Sequence, residues 1–364
     1  MAVGHDIASS AFEPVTACVE PEPPSPVSVG QRMPRQRDPR LDVLKAVAIA
    51  LVVFGHLIRA AYGEATAAPW PLAAAFSVLS ILDVPLFVFV SGYLAPPVAD
   101  ARWLSRRALQ LLVPYASWIA LRWALYYRTD VLGWIRNAVL WGNETNALWF
   151  LYALFAVCLL YVLTCRSRPV LMVAAIVCIA ALAAAVPLFS LRYIAMLFPV
   201  FIVGRMVGER RFEPGPWVLA VTSLLVVAMW SVPGANLLFS WPGWAGGVIA
   251  AGGPWGLALA ALATVLRLAL MLALAGSAMF LARRATAGAW LGALTLGIYA
   301  AHPILVPQWA RGGGAVGLVG GFVVTMAAAV GVTLLLQRWE WTSFLLLGSG
   351  SVPPGRADRR PDDT

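Results

Sequence analysis

The apolar stretches of this 364-residue chain hold few side chains able to move a proton or grip an anion. Asp42, Lys45 and His56 fall in the first stretch, Asp83 in the second, Arg267 and His302 in later ones. On a helix, Lys45 and His56 lie three turns apart on one face, separated by about 16 Å along the axis. A cation near one end of such a wall and an imidazole deeper in it suit an elongated anionic substrate that reacts at its far end. The neutral ring would take a proton from a hydroxyl. Asp42 and Lys45 equally fit a plain i, i+3 ion pair, worth a few tenths of a kcal/mol.

Counting ~1.5 Å per residue from the cytoplasmic ends places His56, Asp83, Arg267 and His302 at one level, roughly 18–22 Å deep. Ionisable groups there are costly unless paired or wetted, so a shared polar cavity is expected. Asp83 would orient His56 and stabilise its imidazolium, or else pair with Arg267 so that both are neutralised. His302, in Tyr-Ala-Ala-His-Pro, reads as a second acid–base group or as a hydrogen-bonded core histidine. Arg102, Arg106 and Arg107 can clamp phosphates, although any cytoplasmic loop tends to carry arginine.

The elements that must position these groups follow from composition. Hydrophobic residues make up 61% and charged residues 12%, and mean hydropathy is +0.80, which excludes a water-soluble surface. The formal charge of +9 is scattered in short clusters between apolar runs. That arrangement fits anionic lipid head groups and argues against nucleic acid. The four cysteines lack metal-type spacing and suggest neither zinc nor a disulfide framework.

Ten apolar stretches, at about 41–63, 70–95, 106–127, 146–165, 169–187, 191–208, 215–232, 255–282, 288–309 and 315–337, are long enough to span a bilayer. Most of the 26 basic residues fall in alternate connections. The spans and that alternation predict an all-α, polytopic membrane helix bundle with about ten transmembrane helices and both termini cytoplasmic. Residues 1–40 are expected to be a disordered cytoplasmic tail, 41–337 the integral membrane domain, and 338–364 a cytoplasmic, mostly disordered tail. Trp134 to Trp141 and Trp241 to Gly253 read as interfacial or re-entrant stretches.

Several motifs then fall into one order: Arg40-Leu-Asp-Val-Leu-Lys-Ala-Val-Ala-Ile, Phe54-Gly-His56, and Val84-Pro-Leu-Phe-Val-Phe-Val-Ser-Gly-Tyr93. They are followed by Arg106-Arg107 leading to Leu112-Val-Pro-Tyr115, then Leu148-Trp-Phe-Leu151, and Ile298-Tyr-Ala-Ala-His-Pro303. This pattern resembles the membrane-bound acyltransferase 3 family over most of residues 40–337. The resemblance implies a roughly ten-helix enzyme that moves an acyl group, often acetyl, from cytoplasmic acyl-CoA to hydroxyls of surface glycans, lipids or other acceptors.

It further implies that His56 is the catalytic histidine, Lys45 its basic partner, and Arg106 and Arg107 contacts for the donor phosphates. Arg102, Ser91 and Tyr93 join the expected acyl-CoA-binding set. Lysine replaces the arginine more usual at position 45, keeping the charge and losing the planar fork. Alanine replaces glycine at position 46.

The resulting expectation is a multi-pass O-acyltransferase of a bacterial inner membrane, with no permanently bound cofactor or metal and with acyl-CoA, in the first instance acetyl-CoA, as co-substrate. Its acceptor would be a hydroxyl-bearing glycan or glycolipid arriving from the outer side, past Trp70, Trp149, Trp241 and Trp244. The integral domain would act without an appended hydrolase-like domain. The rival is a transporter or flippase whose midplane charges line a substrate path.

Overall fold

The first helix starts where its sequence provides a cap. The Asp38 carboxylate accepts the Arg40 backbone N–H at 3.0 Å, and Pro39 supplies a pre-set φ at the first helical position. Helix α1 then runs Pro39–Tyr62 and ends at Gly63 with φ of 82°. In the computed structural model, the described residues are 38–63, 68–79, 82–126, 130–139, 148–181, 191–210, 214–231, 255–282 and 288–349.

After α1 come α2 (Trp70–Leu79), α3 (Asp83–Leu94), α4 (Ala101–Tyr126), α5 (Val131–Val139), α6 (Trp149–Thr164) and α7 (Arg168–Ala181). These lead to α8 (Leu191–Arg210), α9 (Trp217–Ser231), α10 (Gly256–Ala282), α11 (Ala289–Ala293) and α12 (Thr295–Leu305). A 3-10 turn at Gln308–Ala310 precedes α13 (Gly314–Leu336) and α14 (Glu340–Leu347). No strand occurs among the described residues, so the fold is the expected helical bundle.

Helix α1 is the hub. It packs against α3, α10, α11, α12 and α13, and Leu44, Ile49, Leu57 and Ile58 are fully enclosed by those neighbours. Lipid tails are as apolar as these side chains, so in a bilayer such contacts stabilise through close van der Waals fit more than through escape from water. The most extensive pairing joins α3 and α8. A Cβ at Gly92 would overlap the Phe201 carbonyl oxygen, and one at Gly204 or Gly208 would overlap the carbonyl of Phe89 or Tyr93. Small residues on both helices let the backbones meet.

Two expected spans are divided. The stretch 70–95 contains α2 and α3 as separate helices, and α3 begins with Asp83 in its first turn and Pro85 two residues on. Proline lacks the N–H a continuous helix needs there, whereas in a new first turn that donor has no intrahelical partner anyway. The stretch 288–309 likewise breaks at Leu294, between α11 and α12, and continues into the 3-10 turn.

Among the described residues, two helices, α1 and α13, are long and apolar enough on their own to cross a membrane. Shorter apolar helices occupy Asp83–Leu94, Trp149–Thr164, Arg168–Cys178, Trp217–Val227 and Leu268–Ala282. The expected tails up to residue 37 and from 350 onward, and the stretch Trp241 to Gly253, lie outside the described residues, as does Trp141. Trp134, by contrast, sits on the short helix α5 against Trp123 of α4.

Candidate active site

Where α1 crosses α12, two histidines meet. His56 lies one and a half turns before the end of α1, and its ring is 5.0 Å, centroid to centroid, from the ring of His302, with the planes tilted by 54°. His302 is wholly buried. Its Nδ1 lies 2.7 Å from the Tyr299 carbonyl oxygen and 3.2 Å from that of Ile298. Carbonyls only accept, so Nδ1 carries the proton, and the neutral ring presents a bare Nε2. Pro303, which follows, cannot donate to the Tyr299 carbonyl as a fourth-residue N–H would, so that oxygen is left to the imidazole.

His302 Nε2 is buried without a hydrogen-bond partner among the described residues, as is Thr325 Oγ1 on α13. No described residue hydrogen-bonds His56. Buried polar atoms without a partner are unusual in a folded interior, where the great majority are satisfied. Around them, Tyr299 stands edge-on to Phe150 at 5.5 Å, and Trp149 stacks on Tyr193 at 4.0 Å.

A cavity of about 300 Å³ opens beside His56, lined by His56, Arg59, Ala60, Pro303, Val306 and Arg311, with His302 buried behind it. It lies toward the end of α1 remote from Lys45. Arg59 and Arg122, both absent from the sequence-derived set, act electrostatically on His56, and Arg122 acts on His302 as well. Arg59 was legible as the i+3 neighbour of His56 on one helix face. Arg122, at the far end of α4, carried no such local signal.

The other sequence-derived residues are distributed differently. Asp83 is half-buried in the first turn of α3. Its carboxylate accepts the Val84 backbone N–H at 2.6 Å and makes no hydrogen bond to either histidine. The fields of Arg59 and Tyr299 reach it instead. The backbone of Arg267 lies within α10, and its side chain is outside the described set, so the Asp83–Arg267 pairing has no geometry here.

At the opposite end of α1, Lys45 Nζ donates to Asp42 Oδ1 at 3.1 Å, with Asp42 buried and Lys45 partly exposed. The i, i+3 pair considered from sequence is thus formed, and it leaves ammonium donors over. On the first turns of α4, Arg102 and Arg106 are exposed, with Arg106 Nε on the Arg102 carbonyl at 3.4 Å. Arg107 donates to Gln110 at 3.1 Å and lies over the Trp103 ring at 5.3 Å. No ion pair ties these three to an acid among the described residues. Ser91 is half-buried and Tyr93 buried on α3, next to the Gly92 contact with α8. Among the described residues, no group of His, Cys, Asp or Glu could hold a metal ion.

The sequence pattern has known counterparts. A family model described as an acyltransferase domain, acyltransferase 3, matches residues 38–338. The chain is 29% identical over 212 residues to Nodulation protein NolL of Sinorhizobium fredii (strain NBRC 101917 / NGR234), covering 54% of this chain and 56% of that protein. It is 31% identical over 145 residues to Nodulation protein NolL of Mesorhizobium japonicum (strain LMG 29417 / CECT 9101 / MAFF 303099), covering 36% and 37%. The matches thus span about half, or less, of the length of these relatives. No solved structure matches the chain.

Proposed function

Because the chain belongs to the acyltransferase 3 family and is an acyltransferase, we propose that it moves an acyl group, acetyl in the simplest case, from acyl-CoA to a hydroxyl of a carbohydrate or other envelope acceptor, with His56 as general base. The proposal extends to a multi-pass arrangement of about ten crossings in a bacterial inner membrane, with both termini in the cytoplasm. The observation that carries the chemistry is His56 at a cavity wall with the His302 ring 5.0 Å away, no described residue hydrogen-bonding His56 and His302 Nε2 unpartnered.

His56 removes the acceptor's hydroxyl proton as the oxygen attacks the thioester carbonyl. A C–O bond forms, the C–S bond breaks, and the proton passes from the imidazolium to the departing CoA thiolate. His302, with Nδ1–H held by two backbone carbonyls, keeps Nε2 free and steadies the proton on His56. Rings 5.0 Å apart need a modest turn to join, the loose geometry common to sites without substrate.

Lys45 and the arginines 102, 106 and 107 receive the phosphates of the donor, whose pantetheine arm reaches along the α1 wall to His56. Ser91 and Tyr93 flank that course on α3. Asp83 fixes the start of α3 and supplies negative potential near Arg59 rather than a bond to the imidazole.

Release of free CoA from acetyl-CoA, followed in membranes holding the full chain, tests this. His56→Ala is expected to slow release by at least ~100-fold, the range of a lost general base. Release at the parental rate in that variant overturns the assignment.

A further inference from the structure

The mouth of the histidine cavity carries two arginines from separate elements, and neither forms an ion pair among the described residues. Arg59 belongs to the last turn of α1, where a cation is favoured by the helix dipole, and its guanidinium lies 5.4 Å from the Phe76 ring centroid. Its position therefore has local reasons. Arg311 has none of these. It follows the 3-10 turn, exposed, and no ring or carboxylate among the described residues receives it.

The backbone nonetheless puts Arg311 at this mouth deliberately. Gly312 has φ of 69°, in the left-handed region that favours glycine. Its N–H donates to the Ala60 carbonyl at 3.0 Å, tying the turn to the end of α1. Arg59, Ala60 and Arg311 are thus held as one rim above His56. From sequence, Arg311 was one of few basic residues on the sparsely charged side of the bilayer, where positive charge is not needed to set orientation.

We infer that this rim recognises an anionic substituent, a carboxylate or phosphate, on the acceptor, so that the enzyme selects acidic glycans or glycolipids over neutral ones. The inference rests on the acyl-transfer reading and narrows its acceptor class. Two guanidiniums facing one opening match the bidentate geometry of such anions. The proposed site for the donor's phosphates, by contrast, uses Lys45 near the start of α1 and the arginines of α4. An acceptor held by its anion at the rim would carry its neighbouring hydroxyls down toward His56.

The test uses the purified full chain in phosphatidylcholine nanodiscs. Binding of methyl glucuronide and methyl glucoside, which differ by one carboxylate, is followed by intrinsic tryptophan fluorescence. The acid is expected to bind about tenfold more tightly. Arg311→Gln should bring the two affinities together, and Arg311→Lys should retain part of the preference.

Equal affinities, absence of binding by the acid, or an unchanged preference in Arg311→Gln overturns the inference. So does a raised KM for acetyl-CoA in that variant, which would give the rim to the donor. Loss of glucuronide binding when phosphatidylglycerol is added would assign the arginines to lipid phosphates and likewise overturn it. Acetyl-CoA cleavage in the same preparation, with His56→Ala as control, reports separately on acyl transfer.

Discussion

The two ends of α1 treat their polar side chains in opposite ways. At the start, Asp42 and Lys45 are joined at 3.1 Å, and Arg40 is joined to Asp38. Near the finish, His56 has no hydrogen bond from any described residue, His302 keeps Nε2 unpaired, and Arg59 has no acid in contact. A buried polar atom left unsatisfied costs about 1–3 kcal/mol. Several in one place are retained where substrate, water or a transition state satisfies them, whereas a bonded pair can be there for the helix alone. The comparison sets the unpartnered groups beside His56 apart from Lys45, which keeps ammonium donors for a ligand while bonded to Asp42.

The sharpest way to break that contrast is His302→Ala. Removing the second ring is expected to slow acetyl-CoA cleavage by about 100-fold while the protein still elutes as a folded species on size exclusion. Parental activity would return His302 to the status of a core residue. Next in size is Lys45→Met, expected to raise the KM for acetyl-CoA about tenfold and to spare kcat, with Lys45→Arg close to parental. A fall in melting temperature with unchanged KM would instead make the Asp42 pair purely structural.

A smaller effect is expected for Gly312→Ala. The left-handed φ costs an alanine about 1–2 kcal/mol, which should lower the melting temperature and loosen Arg311. The smallest belongs to Asp83→Asn, whose amide oxygen still accepts the Val84 N–H. Cleavage within about threefold of the parent is expected, because no bond to either histidine is lost. A drop near that of His56→Ala would restore Asp83 as the orienting acid.

Much of this was written in the sequence. The helical class and the family follow from apolar run length and the ordered motifs, whereas α4 begins at Ala101, five residues before the expected span. The meeting of His56 with His302 was legible only as a shared depth, since rotation about each helix axis decides which groups at one level touch. Depth alone grouped Asp83 with His56, and its carboxylate turned to its own helix start instead. The breaks before α3 and at Leu294 were hidden because each joined stretch is long enough to span as one helix. Arg59 was not singled out, although it lies within the 41–63 stretch and stands one turn from His56.

The hydrogen bond from Gly312 to Ala60 joins main chain to main chain. The position of the turn beside the end of α1 is therefore fixed by main-chain groups, while the side chain at 311, proposed to select the acceptor, hangs from it as a replaceable fitting. A related chain that kept the glycine turn and exchanged that one side chain would admit a different guest through an unaltered frame.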